Sequence, residues 1–331
     1  MLLVNGDLAR RTGGNLYDQH VAHACRRAGL ALRIVPVAST AQARSALARL
    51  KPSVIVIDSI AIPVVAPLVG WAHQELRARV VALMHMPTTA RGTRAVLRAA
   101  DRVIAVSPDL ARTLSRTGVP RSRLVVIPPG SDGIPRVSRR RRGAPRDAGA
   151  LRILAVANWS PAKGIATLVA AAAQVPDVHL DLVGDVGAGA YPDAVLSRIR
   201  SSELGPRVHV YGALEGRTLA RRFAEADVFA LPTEREGYGI VFAEALQRGL
   251  PIIAGDIATV RAIVGDAGLY VPPRRVRPLV SALRLMTDAW LRRRLARAAR
   301  VRARALPTWA ASGARFGDLV RNEMRASVAR S

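Results

Sequence analysis

The chain has 331 residues, of which 50% are hydrophobic and only 4% aromatic, and its formal net charge is +26. This length is enough for two domains of roughly 100 to 200 residues. Aromatic side chains interleaved with basic ones would be needed to stack bases, so the composition argues against a nucleic-acid partner. The one cysteine, Cys25, excludes an internal disulfide and fits a cytoplasmic protein.

The first 130 residues contain six short runs rich in Val, Ile and Leu, spaced as in alternating strands and helices. The opening run, MLLVN, is too short for the apolar core of a signal peptide, so export is not expected. The longest apolar region, Ser53–Ala72, approaches the length of a membrane span, but Asp58, Pro63 and Pro67 interrupt it. We predict a strand, a loop and a helix there.

Six further runs of the same kind follow residue 150. Between the two sets, residues 134–150 are rich in Pro, Gly and Arg and predict an interdomain linker. The sequence thus predicts an α/β protein with two doubly wound, Rossmann-like domains in tandem. The first domain covers residues 1–133 and is completed by a C-terminal helix over 308–331, and the second covers residues 151–307.

The excess of positive charge would attract anionic partners. Of the 50 basic residues 48 are arginine and two are lysine, Lys51 and Lys163, which is also typical of a coding bias that spreads arginine over every helix. Two runs, Ser138–Arg146 and Trp290–Leu306, are concentrated enough to contact a polyanionic surface. A peripheral position at an anionic membrane face therefore stands beside an ordinary solvated surface as an interpretation.

Residues at the ends of the predicted strands are the candidates for function, because open parallel sheets bind ligands beyond the carboxyl ends of their strands. Two such domains facing each other would form a cleft. The candidates are Gly13 and Gly14 after the first run, His85 in the fourth, Asn158 to Gly164 after the seventh, Gly184 and Asp185 after the eighth, and Glu234 to Gly239 after the tenth.

The segment REGYGIVFAEALQRG, residues 235–249, combines two glycines with two acids. Gly237 and Gly239 would let the backbone turn tightly and bring N–H groups close to an anion, with a helix N-terminus behind them. Glu236 and Glu244 are eight residues apart, slightly more than two helical turns, which predicts that both point towards one side and bind hydroxyls of one ligand. The alternative is that Glu236 only stabilises the helix start and Glu244 is solvated.

Lys163 and Gly164 are predicted at the start of an apolar helix, where an ammonium can lie over a phosphate. A lysine retained in a chain that uses arginine almost everywhere favours a specific task, because a compact ammonium and a planar guanidinium are not interchangeable. A surface lysine at a helix start is the alternative.

Together these motifs resemble the retaining glycosyltransferases of family 4, which have the GT-B fold of two facing Rossmann-like domains. The most specific element is the pair Glu236 and Glu244 with Gly237, Gly239 and the closing GLP at 249–251. The resemblance extends along nearly the whole chain, through TGGNLYDQHVAHACRRAG, ADRVIAVSPDLARTL, RLVVIPPGSD, KGIATLVAA, LDLVGD, VHVYGAL, ADVFALPTEREGYGIVFAEALQRGLPIIAGD and GLYVPP.

The resemblance implies a hexosyltransferase-like enzyme that uses a nucleoside-diphosphate sugar and an unidentified acceptor. Glu236 would contact hydroxyls of the transferred sugar, and Glu244 the ribose. Lys163 and the N–H groups of residues 237–239 would hold the diphosphate, and His85 would face the donor sugar. The catalytic candidates are thus Glu236, Lys163 and His85, and the donor-binding candidates are Gly14, Asn158, Gly237, Tyr238, Gly239 and Glu244.

Two positions depart from the family pattern. The family commonly has an arginine five residues before the lysine, where this chain has Asn158, and often an acid where this chain has Arg261. A missing cation would weaken stabilisation of the leaving diphosphate, so Arg235 or Arg261 is the candidate replacement.

The resemblance also implies a metal-independent reaction that retains the anomeric configuration, with the departing phosphate taking the acceptor's proton. Preorganised N–H groups and Lys163 can answer the negative charge on the diphosphate, and no DxD-like acidic pair follows a predicted strand in a setting suited to Mg²⁺. Neither a metal nor another cofactor is therefore expected. A nucleotide-sugar epimerase of the same fold and a non-catalytic nucleotide-sugar-binding relative remain as alternatives.

Overall fold

A computed structural model describes residues 1–137, 150–201 and 204–329. Contacts divide the chain into two compact units, Met1–Gly130 with Pro307–Ser331, and Ser131–Leu306. The basic run Ser138–Arg146 and most of the predicted linker lie outside the described residues.

The first unit alternates strands and helices and contains one sheet of six parallel strands in the order β2-β1-β3-β4-β5-β6. The sheet forms because its strands are runs of Val, Ile, Leu and Ala, the composition of strands covered on both faces. In chain order the elements are β1 (Leu2–Val4), α1 (Gly13–Arg27), β2 (Ile34–Pro36), α2 (Thr40–Leu50), β3 (Val54–Asp58), α3 (Ile62–Val65), α4 (Val69–Gln74), β4 (Arg79–Met84), α5 (Thr93–Ala99), β5 (Arg102–Ala105), α6 (Pro108–Arg116) and β6 (Leu124–Val126).

The last helix of the chain, α14 (Trp309–Val328), returns to this first unit and packs on α1. Its Glu323 is buried and pairs with Arg79, whose Nη2 lies 2.6 Å from Glu323 Oε2. Arg79 also pairs with Asp101 across 2.6 Å. The C-terminal helix therefore supplies a charge that the start of β4 requires.

The second unit contains another sheet of six parallel strands, in the order β12-β11-β10-β7-β8-β9. Its core is again built from aliphatic side chains, with Phe223, Phe229 and Phe242 fully buried among them. Its elements are β7 (Leu151–Val156), α7 (Ile165–Ala172), β8 (Val178–Val183), α8 (Ala190–Ser201), β9 (Val208–Val210), α9 (Gly216–Glu225), β10 (Val228–Leu231), α10 (Ile240–Gln247), β11 (Ile252–Gly255), α11 (Ala258–Val264), β12 (Gly268–Val271), α12 (Val276–Leu285) and α13 (Ala289–Arg304).

The predicted arrangement of six strands in each half is confirmed. The region Ser53–Ala72 forms β3, α3 and the start of α4, as predicted, and within the described residues no helix is both long and apolar enough to cross a membrane. Because parallel strands are aligned, the residues that follow β7 and β10 meet at one edge of the second sheet.

Candidate active site

Lys163 and Glu236 come together at the carboxyl edge of the second sheet. The ammonium Nζ of Lys163 lies 2.6 Å from Oε1 of Glu236, and their side chains are 28% and 9% exposed. Lys163 ends a short 3-10 turn after β7, and Glu236 lies in the loop between β10 and α10. Two of the three residues that the sequence singled out for catalysis are therefore neighbours.

Backbone contacts between the same two loops fix this pair in place. The carbonyl of Ala162 accepts hydrogen bonds from the Glu234 N–H and from the Thr233 hydroxyl, at 2.8 and 3.0 Å. Gly164 has φ +71°, and a Cβ there would lie 2.5 Å from the Pro232 carbonyl oxygen. Only glycine combines that backbone conformation with such a close approach.

The spacing argument for Glu236 and Glu244 was wrong about the local structure. Helix α10 begins only at Ile240, after Gly239 in a left-handed conformation with φ +97°, so Glu236 precedes the helix and Glu244 is its fifth residue. Gly239 adopts a positive φ that other residues rarely adopt, and this turn places Glu236 in the loop and Glu244 in the helix. Glu244 is 5% exposed, so the alternative of a solvated Glu244 is also wrong.

The N-terminus of α10 belongs to the same loop. Backbone N–H groups in the first turn of a helix have no partner within the helix, and the helix dipole favours an anion there. Tyr238, just before this turn, is buried, and burial raises the pKa of its hydroxyl to about 12. This loop and the neighbouring Lys163 can thus offer N–H groups, a carboxylate and an ammonium to one ligand.

The two departures from the family pattern have structural partners. Asn158 accepts a hydrogen bond at its side-chain oxygen from the Asp185 N–H at 3.1 Å, so it ties the loop after β7 to the loop after β8. Arg261 forms a two-bond pair with Asp256 and stacks on Tyr270 with its guanidinium carbon 4.2 Å from the ring centre. Its charge is already matched by Asp256. Arg235 is exposed.

His85 directly follows β4, one residue later than the sequence placed it, and lies between two buried acids. Its Nε2 is 3.3 Å from Oδ1 of Asp18 on α1 and 3.2 Å from Oδ2 of Asp58 at the end of β3. Asp58 also accepts the Ile60 N–H at 2.6 Å. Asp18, Asp58 and His85 are called the buried cluster below.

Electrostatics in the buried cluster favour an imidazolium. Burial alone would lower the pKa of His85, but the two carboxylates outweigh it and raise that pKa to about 10. Burial raises the pKa of Asp18 to about 7, assisted by the neighbouring Asp58. Contacts with His85 outweigh burial at Asp58 and lower its pKa. Below about pH 7 the cluster therefore holds an imidazolium on His85 and a carboxylate on Asp58, in a site that is almost closed to solvent.

The same three side chains could in principle hold a metal, since one ligand atom from each lies within 4.8 Å of the others. An imidazolium already supplies a positive charge at this position. The expectation that no metal takes part stays a prediction.

Gly14 contacts the buried cluster as well. A Cβ at Gly14 would lie 3.2 Å from Cδ2 of His85, so the glycine lets the start of α1 approach the imidazole. The Tyr17 ring meets the same imidazole edge-on, with ring centres 5.4 Å apart. The structure thus brings together His85 and Gly14, two of the candidates from the sequence, and adds Asp18 and Asp58, which the sequence analysis missed as site residues. The signal in the sequence that could have indicated Asp58 is its position as a lone acid at the end of the apolar strand β3.

Two family models match the chain in succession. A model described as Glycosyltransferase Family 4 matches residues 5–132, and one described as Glycosyl transferases group 1 matches residues 138–302. The chain belongs to glycosyltransferase family 4. A D-inositol 3-phosphate glycosyltransferase of Kineococcus radiotolerans is 32% identical over 239 residues, 63% of this chain and 54% of that protein. One of Rhodococcus erythropolis is 29% identical over 67% of this chain and 55% of its own.

This family 4 chain spans about half the length of the curated relatives it matches. Solved structures match it over nearly its full length. Sucrose-phosphate synthase from Thermosynechococcus elongatus has a TM-score of 0.84 at 23% identity, covering 98% of both chains. Anabaena HepE has a TM-score of 0.77 at 17% identity, covering 97% of this chain and 99% of its own. The predicted GT-B fold is thereby confirmed.

Proposed function

We propose that this protein transfers a hexosyl group from a nucleoside-diphosphate sugar to an acceptor, with retention of anomeric configuration and without a metal. The observation that carries the proposal is the contact of Lys163 with Glu236 beside the N-terminus of α10. Family membership supports it, and so does Anabaena HepE, which has been crystallised with UDP and glucose and with UDP-glucose.

Lys163 is proposed to bind the diphosphate. In the structure its ammonium is held by Glu236 at 2.6 Å, in a site partly open to solvent. A diphosphate would add a second anionic partner to the same ammonium, and its charge would grow as the sugar leaves. Interactions aimed at charge that develops in the transition state often contribute most to catalysis. Because Glu236 holds the lysine side chain, little reorganisation is needed when the donor arrives.

Glu236 and Glu244 are proposed to bind different parts of the donor. Glu236, which is paired with Lys163, is proposed to accept hydrogen bonds from hydroxyls of the sugar attached to that diphosphate. Glu244, one turn into α10 and buried, is proposed to accept hydrogen bonds from the ribose. A buried carboxylate that gains hydroxyl partners recovers part of its desolvation cost.

The bond changes balance without a metal. The acceptor hydroxyl oxygen forms a bond to the anomeric carbon on the face that the diphosphate leaves, and the bond from that carbon to the diphosphate oxygen breaks. The acceptor's proton passes to the departing phosphate oxygen. Positive charge on the sugar ring and negative charge on the diphosphate grow together, and Lys163 with the N–H groups of α10 would stabilise the second.

A further cation is proposed at Arg235. Asn158 stands where the family commonly has an arginine, and its side-chain oxygen is used by the Asp185 N–H. Arg261, the other candidate, is paired with Asp256. Arg235→Ala should therefore slow transfer more than Arg261→Ala, and unchanged rates in both variants would remove arginine from the mechanism.

The test is turnover with nucleoside-diphosphate sugars after a thermal-shift screen of donors and free nucleoside diphosphates. Lys163→Ala should reduce kcat by roughly 10²-fold, the scale for loss of one preorganised donor. Lys51→Ala is the matched control, because Lys51 is the other lysine and caps α2 in the first unit. A rate for Lys163→Ala within a few-fold of the wild type would contradict the proposal. An epimer formed from donor alone would identify an epimerase, and binding without turnover a non-catalytic relative.

We also propose a cytoplasmic location at an anionic membrane face. The chain has one cysteine, and arginines line the exposed side of α13, whose buried side is Leu295, Ala299 and Ala303. Each well-placed basic residue near an anionic leaflet contributes about 1 kcal/mol. Equal binding to neutral and anionic vesicles would contradict this placement.

A further inference from the structure

The second unit contains a pocket lined by arginines that does not include Lys163. Its volume is about 530 Å³, within the range of small-molecule sites. Its walls come from the ends of α9 and α10, the turn that follows α10, and the first three turns of α13. Among the described residues, five arginines and one acid line it: Arg136, Arg248, Arg292, Arg293, Arg300 and Asp227.

The pocket is at the opposite edge of the sheet from the candidate active site. Asp227 immediately precedes β10, and Pro251 immediately precedes β11. Lys163 and Glu236 instead follow β7 and β10. In a parallel sheet these are the amino and carboxyl edges, separated by the length of the strands. The pocket is therefore a separate site.

Two of the pocket's arginines are held in place by backbone carbonyls. Arg248 is half-buried, and its Nη2 donates to the carbonyls of Ile134 and Pro135 at 2.8 and 2.7 Å. Arg292 donates from Nη1 to the Met286 carbonyl at 2.5 Å. Neutral carbonyls position these guanidinium groups without cancelling their charge. The guanidinium groups of Arg248 and Arg292 are therefore held in place before any ligand binds.

The pocket's positive charge is poorly compensated from within. Burial lowers the pKa of Arg248, and so does the neighbouring cation Arg136, although the carboxylate of Glu244 acts in the opposite direction. The lining acid, Asp227, already accepts a hydrogen bond from the Arg152 N–H at 3.1 Å. Five guanidinium groups facing one carboxylate leave a formal charge of +4 on the described lining. An anion with several charges would relieve this repulsion.

We infer that this pocket binds an anion carrying two or more phosphate groups, either a free oligophosphate or the headgroup of a phosphate-bearing lipid. Guanidinium groups pair with phosphate oxygens through two parallel hydrogen bonds, which makes arginine the preferred residue where such geometry matters. A singly charged anion would leave most of the repulsion in place. The inference does not depend on the proposed transfer reaction.

Helix α13 offers a matched pair of variants. Arg293 and Arg300 line the pocket, whereas Arg294 and Arg297 lie on the same helix outside the lining. All four are exposed, so each double alanine variant removes two charges from the same helix without opening the core. A general effect of net charge would weaken both variants equally.

Binding of sodium tripolyphosphate would be measured by calorimetry at constant ionic strength. Binding to phosphatidylcholine vesicles that contain phosphatidylinositol 4-phosphate, whose headgroup carries two phosphate groups, would be measured by co-sedimentation, with pure phosphatidylcholine vesicles as the reference. Removing one charge-assisted hydrogen bond should weaken binding by about 10-fold or more. Arg293→Ala/Arg300→Ala should therefore bind at least one probe roughly 100-fold more weakly than the wild type. Arg294→Ala/Arg297→Ala should bind tripolyphosphate within a few-fold of the wild type and should lose less vesicle binding than the pocket variant.

The two probes separate the sources of phosphate. Selective loss of tripolyphosphate binding identifies a soluble oligophosphate, and selective loss of vesicle binding identifies a lipid headgroup. Equal loss in both variants, or no binding of either probe to the wild type, overturns the inference. Tripolyphosphate binding that survives in the pocket variant and disappears in Lys163→Ala also overturns it, because the anion then sits at the donor loop.

Discussion

The buried cluster and the pair formed by Lys163 and Glu236 hold their ionisable groups in opposite ways. In the first unit, Asp18, Asp58 and His85 are joined from three separate elements, with the acids at most 2% exposed. In the second unit, Lys163 and Glu236 form one contact in a site that water reaches. The first arrangement fixes the protonation state of an imidazole. The second leaves an ammonium partly exposed, so that it can contact another anion.

The difference in solvent exposure decides which of the two groups can gain a partner during a reaction. Charges buried without water interact strongly and resist separation, because an unpaired buried charge is costly. The side chain of Lys163 is 28% exposed, so its ammonium can bind a second anion from the solvent side without leaving Glu236. The buried cluster is thus suited to orient a side chain, and the partly exposed pair to receive a substrate.

The largest effect is expected when both acids of the buried cluster are neutralised. In Asp18→Asn/Asp58→Asn the carboxylates no longer raise the pKa of His85, and burial alone then lowers it. That pKa should fall from about 10 to below its ordinary value of 6.5. An NMR titration of the imidazole measures the fall directly, and it does not require any enzyme assay. A pKa that stays near 10 would mean that other groups hold the proton.

The next effect is a change in how stability depends on pH. The pKa of Asp18 is higher in the folded chain, about 7, than its ordinary 3.8, so its contribution is complete below pH 4 and is lost as pH rises towards 7. Of the groups facing it, Asp58 titrates below this window, and His85 and Tyr17 change stability only above pH 6.5. One pKa unit is 1.36 kcal/mol, so the wild type should lose on the order of 3 kcal/mol between pH 4 and 6.5.

Asp18→Asn should remove this slope. Urea unfolding at several pH values measures it, with the exposed Asp193→Asn as the control. If the slope persists in Asp18→Asn, the acid does not titrate in the folded chain as described.

A smaller effect separates the two glutamates of the second unit. Glu236→Ala should lower kcat and kcat/KM together, because its contact with the sugar strengthens in the transition state. Glu244→Ala should mainly raise the donor KM. The loss of binding free energy should be about 1.5–3 kcal/mol for each charge-assisted hydrogen bond removed. Affinity for free nucleoside diphosphate should fall in the Glu244 variant only. The reverse order would reassign both residues.

The smallest effect tests the approach of α1 to His85. In Gly14→Ala the new methyl would lie 3.2 Å from the imidazole, so the ring must shift by a few tenths of an ångström. We expect kcat to fall a few-fold while the free energy of unfolding changes by less than about 1 kcal/mol, since alanine favours helix. Gly70→Ala is the control, because no atom of the described residues lies within 4 Å of its Cβ position in α4. Equal turnover in both variants would separate Gly14 from the reaction.

Local patterns were sufficient to predict the strands and the loops that follow them. Runs such as VIVID at 54–58 are β-branched and apolar, and the residues after them fall at the sheet edge by topology alone. The contact of Lys163 with Glu236 follows from that topology. The left-handed turn at Gly239 interrupts the presumed helix, and periodicity cannot detect such a turn. Asp18 and Asp58 were missed because their contacts with His85 depend on how α1, β3 and β4 pack.

The return of α14 to the first unit has a consequence for biosynthesis. Arg79 at the start of β4 is buried and needs Glu323, which is made 244 residues later. At about 5–20 residues per second, synthesis of the second unit and α14 takes roughly 10–40 s. Until then the nascent first unit has an uncovered face on α1, and Arg79 has Asp101 but lacks Glu323 as an ion-pair partner. The second unit is therefore in a position to complete its folding first, although its residues leave the ribosome later.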